Sequence, residues 1–189
     1  MWPWGHLLFG YLLYSLTQHL WARRRPTAGA TLALALGTQF PDLVDKSLAW
    51  GLGVLPSGRS LAHSLFVAGV VVSLVMAYAE SRSRGTEGGA FGIGYLSHLV
   101  GDSLYVVPTR AWDQLAFLLW PAVPAVDYPD ESFVAQLAKL ELPTTLTPET
   151  TAFAALAGVV VLLWLADGAP VAAECLTRLV GRDPPTSEA

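Results

Sequence analysis

The chain is poor in cysteine, in lysine and in charge of either sign. Its 189 residues include one cysteine, Cys175. A lone thiol excludes an internal disulfide and any zinc site built from several thiolates. On an apolar stretch it reads as a small buried hydrophobe. Charged residues make up 14% of the chain, against roughly 25% in an average soluble domain. Lysine occurs twice and arginine nine times, and the formal net charge is −4. The one basic run is Arg23-Arg24-Arg25, so the sequence carries no direct nucleic-acid signal. The start, "MWPWGHLLFG", has no positively charged leader, and the basic cluster follows the first apolar run. It does not read as a cleaved signal peptide, and the first segment is expected to stay in the mature protein.

What the chain has instead is hydrophobicity. Apolar residues make up 53% of it, and the mean hydropathy is +0.46. Apolar stretches run over about 4–21, 27–40, 61–79, 90–107 and 153–166. A bilayer crossing takes roughly 17–25 apolar residues. The expected fold is therefore all-α: a multi-pass transmembrane bundle of about four to five helices. The second stretch is short and Ala-rich, so a re-entrant helix is its alternative reading. Between the last two stretches, "WDQLAFLLWPAVP" looks interfacial or re-entrant. In "DESFVAQLAKLEL", Phe133, Leu137 and Leu140 are spaced as i, i+4 and i+7, which predicts an extra interfacial helix over about 130–142. Residues 1–170 read as one membrane-embedded helical domain, and 171–189 as a cytoplasmic C-terminal tail. Gly88 and Gly92 form a small-xxx-small pair of the kind that lets helices pack closely in lipid.

If each stretch crosses, Arg23, Arg24, Arg25, Arg82, Arg84, Arg178 and Arg182 share one side. Lys46, Arg59, Arg110 and Lys139 share the other. The positive-inside rule makes the seven-arginine side cytoplasmic and places the chain in the cell membrane with its N-terminus outside. On this topology His6, Asp42, Asp45, His63, His98 and Asp102 converge on the extracytoplasmic side, while His19 lies at the opposite end. An aspartate deep in a membrane helix costs about 2.5–3.5 kcal/mol on insertion scales. Such a cluster needs compensation, by ion pairing with Arg59 or Lys46 or by a cation. Imidazoles and carboxylates without thiolate suit zinc, manganese or ferrous iron.

Each residue alone has a plainer reading. His6 would be an interfacial polar residue, and Pro41-Asp42 a turn or helix start. Asp45 would pair with Lys46, and His63-Ser64 would hydrogen-bond a helix start. Arg59 would be a charged flank. His98 with Asp102 is the strongest element, because an i, i+4 pair shares one helix face.

The motifs "GHLLFG", "PDLVD", "GRSLAHSL", "GYLSHLVGD" and "LLWP" follow one another over about 4–121. In that order they resemble the YdjM-like family, membrane-bound metal-dependent hydrolases also described as LexA-binding and inner-membrane-associated. That family is in turn distantly similar to zinc-dependent phospholipase C and the fungal zinc nucleases. The resemblance implies His6, Asp42, His63, His98 and Asp102 as metal ligands, for one or two divalent ions, zinc above all. Family members often read Pro-Asp-x-Asp-His. Here the second carboxylate, Asp45, comes one residue later, and Lys46 stands where a histidine is common. Spacing of i, i+3 keeps Asp45 on the ligand face, as a bridging ligand or general base.

The expected function is metal-dependent hydrolysis of phosphoester bonds, in a phospholipid or another phosphodiester, through metal-activated water. Arg59 would orient the anionic phosphate. Membrane lipid and a phosphoester substrate are the expected partners, and nothing in the sequence sets an oligomeric state. The alternative is a non-catalytic membrane protein whose His/Asp cluster is a structural metal site or a proton relay.

Overall fold

The computed structural model describes residues 2–104, 106–126, 132–138 and 147–180. Every regular element among them is helical. Helix α1 spans Pro3–Thr17 and widens into a π turn over Gln18–Ala22. Pro3 sits in its first turn, where a missing N–H leaves no bond unmade. Helix α2, Ala28–Lys46, is capped by the Thr27 side chain, which accepts from the Ala30 N–H. Helix α3 is Leu65–Ser81, capped by Ser64, and α4 is Gly85–Leu104. Short 3-10 stretches follow at Val107–Thr109 and Trp112–Leu119. Helix α5 is Phe133–Ala138, α6 is Pro148–Ala166 and α7 is Pro170–Val180.

Helix α2 is the centre of the bundle, packed against α1, α4 and α7. The sequence reads it as short and ending before Pro41. In the structure the helix continues through Pro41 to Lys46. Proline removes only its own i→i−4 bond, to the carbonyl of Gly37, and α4 lies along that turn. The two backbones nearly touch there. A Cβ at Gly37 would overlap the Phe91 carbonyl oxygen, and one at Gly94 would overlap that of Leu34. Gly88 and Gly92 face α3 instead, against Ala79 and Val72. Gly37→Ala should therefore force the central pair apart and destabilise the fold by about 1–3 kcal/mol. Gly89→Ala, at a position with open space, should leave thermal unfolding in detergent unchanged or slightly improved.

The distribution of polarity is inverted relative to a water-soluble bundle. Large apolar side chains cover the outside: Phe66, Val70 and Leu74 on α3, and Val159, Leu162 and Leu165 on α6. Histidines and aspartates fill much of the interior. Yet no single described helix is long and apolar enough to cross a membrane. At 1.5 Å per residue α1 is about 22 Å long and α3 about 26 Å, short of a hydrocarbon core of about 30 Å. Residues Thr150–Ala166 and Pro170–Val180 meet the length and composition of a span only as a pair, bent by 45°. Residues 170–180, which the sequence assigns almost wholly to the tail, are thus a helix, packed on α2. Cys175, expected to be buried, is exposed on it. Of the helix expected over about 130–142, residues 133–138 are helical as α5, while 130–131 and 139–142 lie outside the described residues.

Asp167, in the break between α6 and α7, ties the C-terminal part to α1. Its Oδ2 accepts from Tyr11 Oη and Ser15 Oγ, each at 2.7 Å, and its Oδ1 lies 2.6 Å from His19 Nε2. Burial alone would raise its pKa, but the hydrogen bonds from Ser15, Tyr11 and His19 hold it below the ordinary carboxylate value. The linked stability is present above the unfolded-state pKa of about 3.9. It is lost as pH falls through the lower folded value. Asp167→Ala should cost about 2–3 kcal/mol by stranding the Tyr11 and Ser15 hydroxyls. It should also flatten the acid limb of the thermal-unfolding profile measured in detergent.

Candidate metal centre

The ends of four chain segments meet at the end of the bundle away from Asp167. Helix α1 supplies His6 in its first turns. The last turns of α2 supply Asp42 and Asp45, three residues apart on one face. The loop before α3 supplies His63, and α4 supplies His98 and Asp102 at i, i+4. All six are buried: Asp42 is 8% exposed and the others at most 1%.

Two ring nitrogens are fixed from behind. His98 Nδ1 lies 2.7 Å from the Thr38 carbonyl oxygen, and His63 Nδ1 lies 2.8 Å from Asp45 Oδ2. The Thr38 carbonyl can only accept, and Asp45 Oδ2 already accepts from backbone N–H groups, so both Nδ1 atoms carry the hydrogen, and each ring, when neutral, presents a lone pair at Nε2. Those two Nε2 atoms face each other at 3.1 Å. Two lone pairs at that distance repel unless a cation or a proton lies between them. Asp42 Oδ1 completes a triangle, 3.5 Å from His63 Nε2 and 3.7 Å from His98 Nε2. Tetrahedral donors about 2.0–2.1 Å from one ion stand about 3.3 Å apart, so Asp42, His63 and His98 have the spacing of ligands to a zinc-sized ion. Among the described residues they form one of two groups that could hold a metal.

The second group is His6, His98 and Asp102. His6 stacks on His98 with ring centroids 3.7 Å apart. Its Nε2 is 3.4 Å from Asp102 Oδ1, and neither of its nitrogens makes a hydrogen bond. A buried imidazole left so is costly. Both groups draw on His98 Nε2, because Nδ1 is committed to Thr38. One lone pair binds one ion, so the two groups cannot both be filled with three protein donors.

The cations stand behind the carboxylates. Lys46 Nζ pairs with Asp42 Oδ2, and Arg59 Nε lies 3.0 Å from Asp102 Oδ2. In Asp42 this leaves Oδ1 for the imidazoles, and in Asp102 Oδ1 faces His6. Asp45 is in neither donor group. Its oxygens accept from the backbone N–H groups of Ser60, Ala62 and His63 and from His63 Nδ1. It pins the loop 57–63 and orients His63. Tyr95 Oη donates to the Ala62 carbonyl, and Ser64 Oγ to that of Trp120, so α4 and the segment after it hold the same loop. The Thr38 carbonyl escapes sequence reasoning altogether, since every residue carries such a group. Lys46 is visible in the sequence as a charge one turn after Asp42.

An apolar exterior around a buried imidazole–carboxylate centre that could hold a metal ion defines a class: helical membrane proteins with an internal polar site. The chain belongs to the YdjM inner membrane protein family, which it matches over residues 1–173. The match takes in α6 and Asp167 as well as the motifs up to residue 121. No match is found among curated proteins or among solved structures.

Proposed function

We propose that the protein is a multi-pass membrane enzyme that hydrolyses phosphoester bonds at a divalent metal centre opening to the extracytoplasmic side. The observation that carries this reading is the approach of His63 Nε2 and His98 Nε2 to 3.1 Å, with Asp42 Oδ1 3.5 and 3.7 Å from them. Asp42, His63 and His98 would hold the ion, with Asp102 and His6 completing its surroundings. When bound, a zinc-class ion supplies Lewis acidity that brings a water's pKa to about 7. Thr38 and Asp45 keep the two rings in the ligand tautomer. His6, whose nitrogens make no hydrogen bond and whose Nε2 faces Asp102 at 3.4 Å, is the residue placed to accept a proton from water entering the centre. Arg59, about a quarter exposed, reaches from Asp102 towards the surface and would orient an anionic phosphate.

The depth of the centre favours a second reading, a structural ion or a proton network with no substrate. The two separate on one experiment with detergent-purified protein. Hydrolysis of a chromogenic phosphodiester or of phospholipid, abolished by Asp42→Ala, supports the enzyme. Stoichiometric metal without hydrolysis of either supports the structural ion. The topology is tested by reporter fusions at residues 25 and 110, expected on opposite sides of the membrane. Reports from the same side would defeat it.

A further inference from the structure

The end of the bundle opposite the metal centre carries a groove between α2, α3 and α4, with a volume of about 570 Å³. Its floor is apolar: Ala33 and Leu36 from α2, Val75 and Ala79 from α3, and Phe91 from α4. Its rim is cationic, with Arg82 after the end of α3 and Arg84 before the start of α4. Tyr78, exposed on α3, stands at the same edge with the Arg82 guanidinium 5.3 Å above its ring. We propose that this groove binds one anionic phospholipid of the membrane, its phosphate between Arg82 and Arg84 and its upper acyl chain along Leu36, Val75 and Phe91.

Three observations carry the inference. The lining changes from hydrocarbon to guanidinium along one groove, which matches a lipid and neither a soluble anion nor a hydrocarbon alone. The volume lies in the range of small-molecule sites, roughly 300–1,000 Å³. The charge at this end is positive, with Arg23, Arg24, Arg25, Arg82, Arg84 and Arg178 against Glu80, Glu87, Glu174 and the buried Asp167. Basic pockets between membrane helices are suited to anionic headgroups. The rim has one opposing charge: Glu87 Oε1 lies 3.6 Å from Arg84 Nε, an exposed pair that holds the arginine weakly. Arg24 reinforces the rim from the turn after α1, its Nη2 donating to Thr86 at 3.3 Å. The inference rests on the membrane family and the groove, and is independent of whether the metal centre does chemistry.

The test is native mass spectrometry of the full chain in detergent, titrated with dioleoyl phosphatidylglycerol or dioleoyl phosphatidylcholine. Phosphatidylglycerol should bind more tightly. Each arginine near an anionic headgroup contributes roughly fivefold, so the Arg82→Gln, Arg84→Gln double variant should lose roughly 25-fold in phosphatidylglycerol affinity and leave phosphatidylcholine unaffected. Glu87→Gln should tighten phosphatidylglycerol binding. Arg110→Gln, at the other end of the bundle, should do nothing. Equal affinity for the two lipids, or a double variant that binds phosphatidylglycerol as the parent does, would overturn the proposal. So would full competition by inorganic phosphate, which would make the groove a site for the free anion.

Discussion

Replacing His98 with alanine is expected to abolish metal binding outright. Purified parent protein should carry close to one equivalent of a zinc-class metal by elemental analysis, and His98→Ala essentially none. His98 Nε2 belongs to both donor groups, so its loss breaks each. Losing a residue that merely orients a ligand already costs roughly 10–100-fold in affinity, and losing the shared ligand should exceed that range. His6→Ala should behave differently. It removes a donor from one group only and leaves the triangle of Asp42, His63 and His98 whole, so the equivalent should be retained with weaker affinity. Two equivalents in the parent would mean a second ion held without His98 Nε2, by His6 and Asp102 alone or with His98 Nδ1 released from the Thr38 carbonyl, and the single-ion arrangement would be wrong.

The contrast between His98 and His6 shows which parts of the centre a sequence discloses. His6, Asp42, His63, His98 and Asp102 stand out because ionisable groups in apolar stretches are expensive, and their positions at segment ends share a level. That logic finds residues but not their pairings. Asp45 looks equivalent to Asp42, three positions on and facing the same way. What separates them is the loop 52–64, which folds back over the end of α2 and delivers three N–H groups and a ring nitrogen to Asp45 alone. Nothing periodic in "GLGVLPSGRSLAHS" encodes that path. Arg59 and Lys46 are foreseen as counterions, but which carboxylate each one takes depends on the same loop.

The fold was legible to a similar depth. Helical class follows from composition and the lengths of the apolar stretches. The central place of α2 does not, because a short Ala-rich stretch followed by Pro41 reads as a weak element. Its importance comes from what it lacks: Gly37 and Ala33 let α4 reach its backbone, and that contact carries the helix past Pro41. Asp167 was missed for the opposite reason. An acid at the end of an apolar run reads as the membrane boundary, and only the folded chain brings it to Tyr11, Ser15 and His19, about 150 residues earlier.

Asp45 gives the second large effect, and it separates a ligand from a positioning residue. Asp45→Ala is expected to destabilise the protein by about 4 kcal/mol, at the upper end of single-residue effects. Four hydrogen bonds end on this carboxylate, which is fully buried. Removing it strands three backbone donors at about 1–3 kcal/mol each, less than additively. Asp45→Asn keeps one acceptor oxygen and should cost about half as much. Its amide turns a donor towards groups that are all donors, so the loop should stay loosened. Metal affinity should fall roughly 10–100-fold in Asp45→Asn, the range for losing a partner that orients a ligand, because His63 is then free to turn its ring. Asp42→Ala should show the reverse pattern: metal lost, and thermal unfolding of the metal-stripped protein close to that of the stripped parent. The measurement is paired, with thermal unfolding of chelator-treated protein in detergent and competitive zinc titration for each variant. If Asp45→Asn loses metal as completely as Asp42→Ala while its stripped form unfolds like the parent, Asp45 is a ligand and the loop does not depend on it. If stability falls first and affinity only in part, the carboxylate acts through His63.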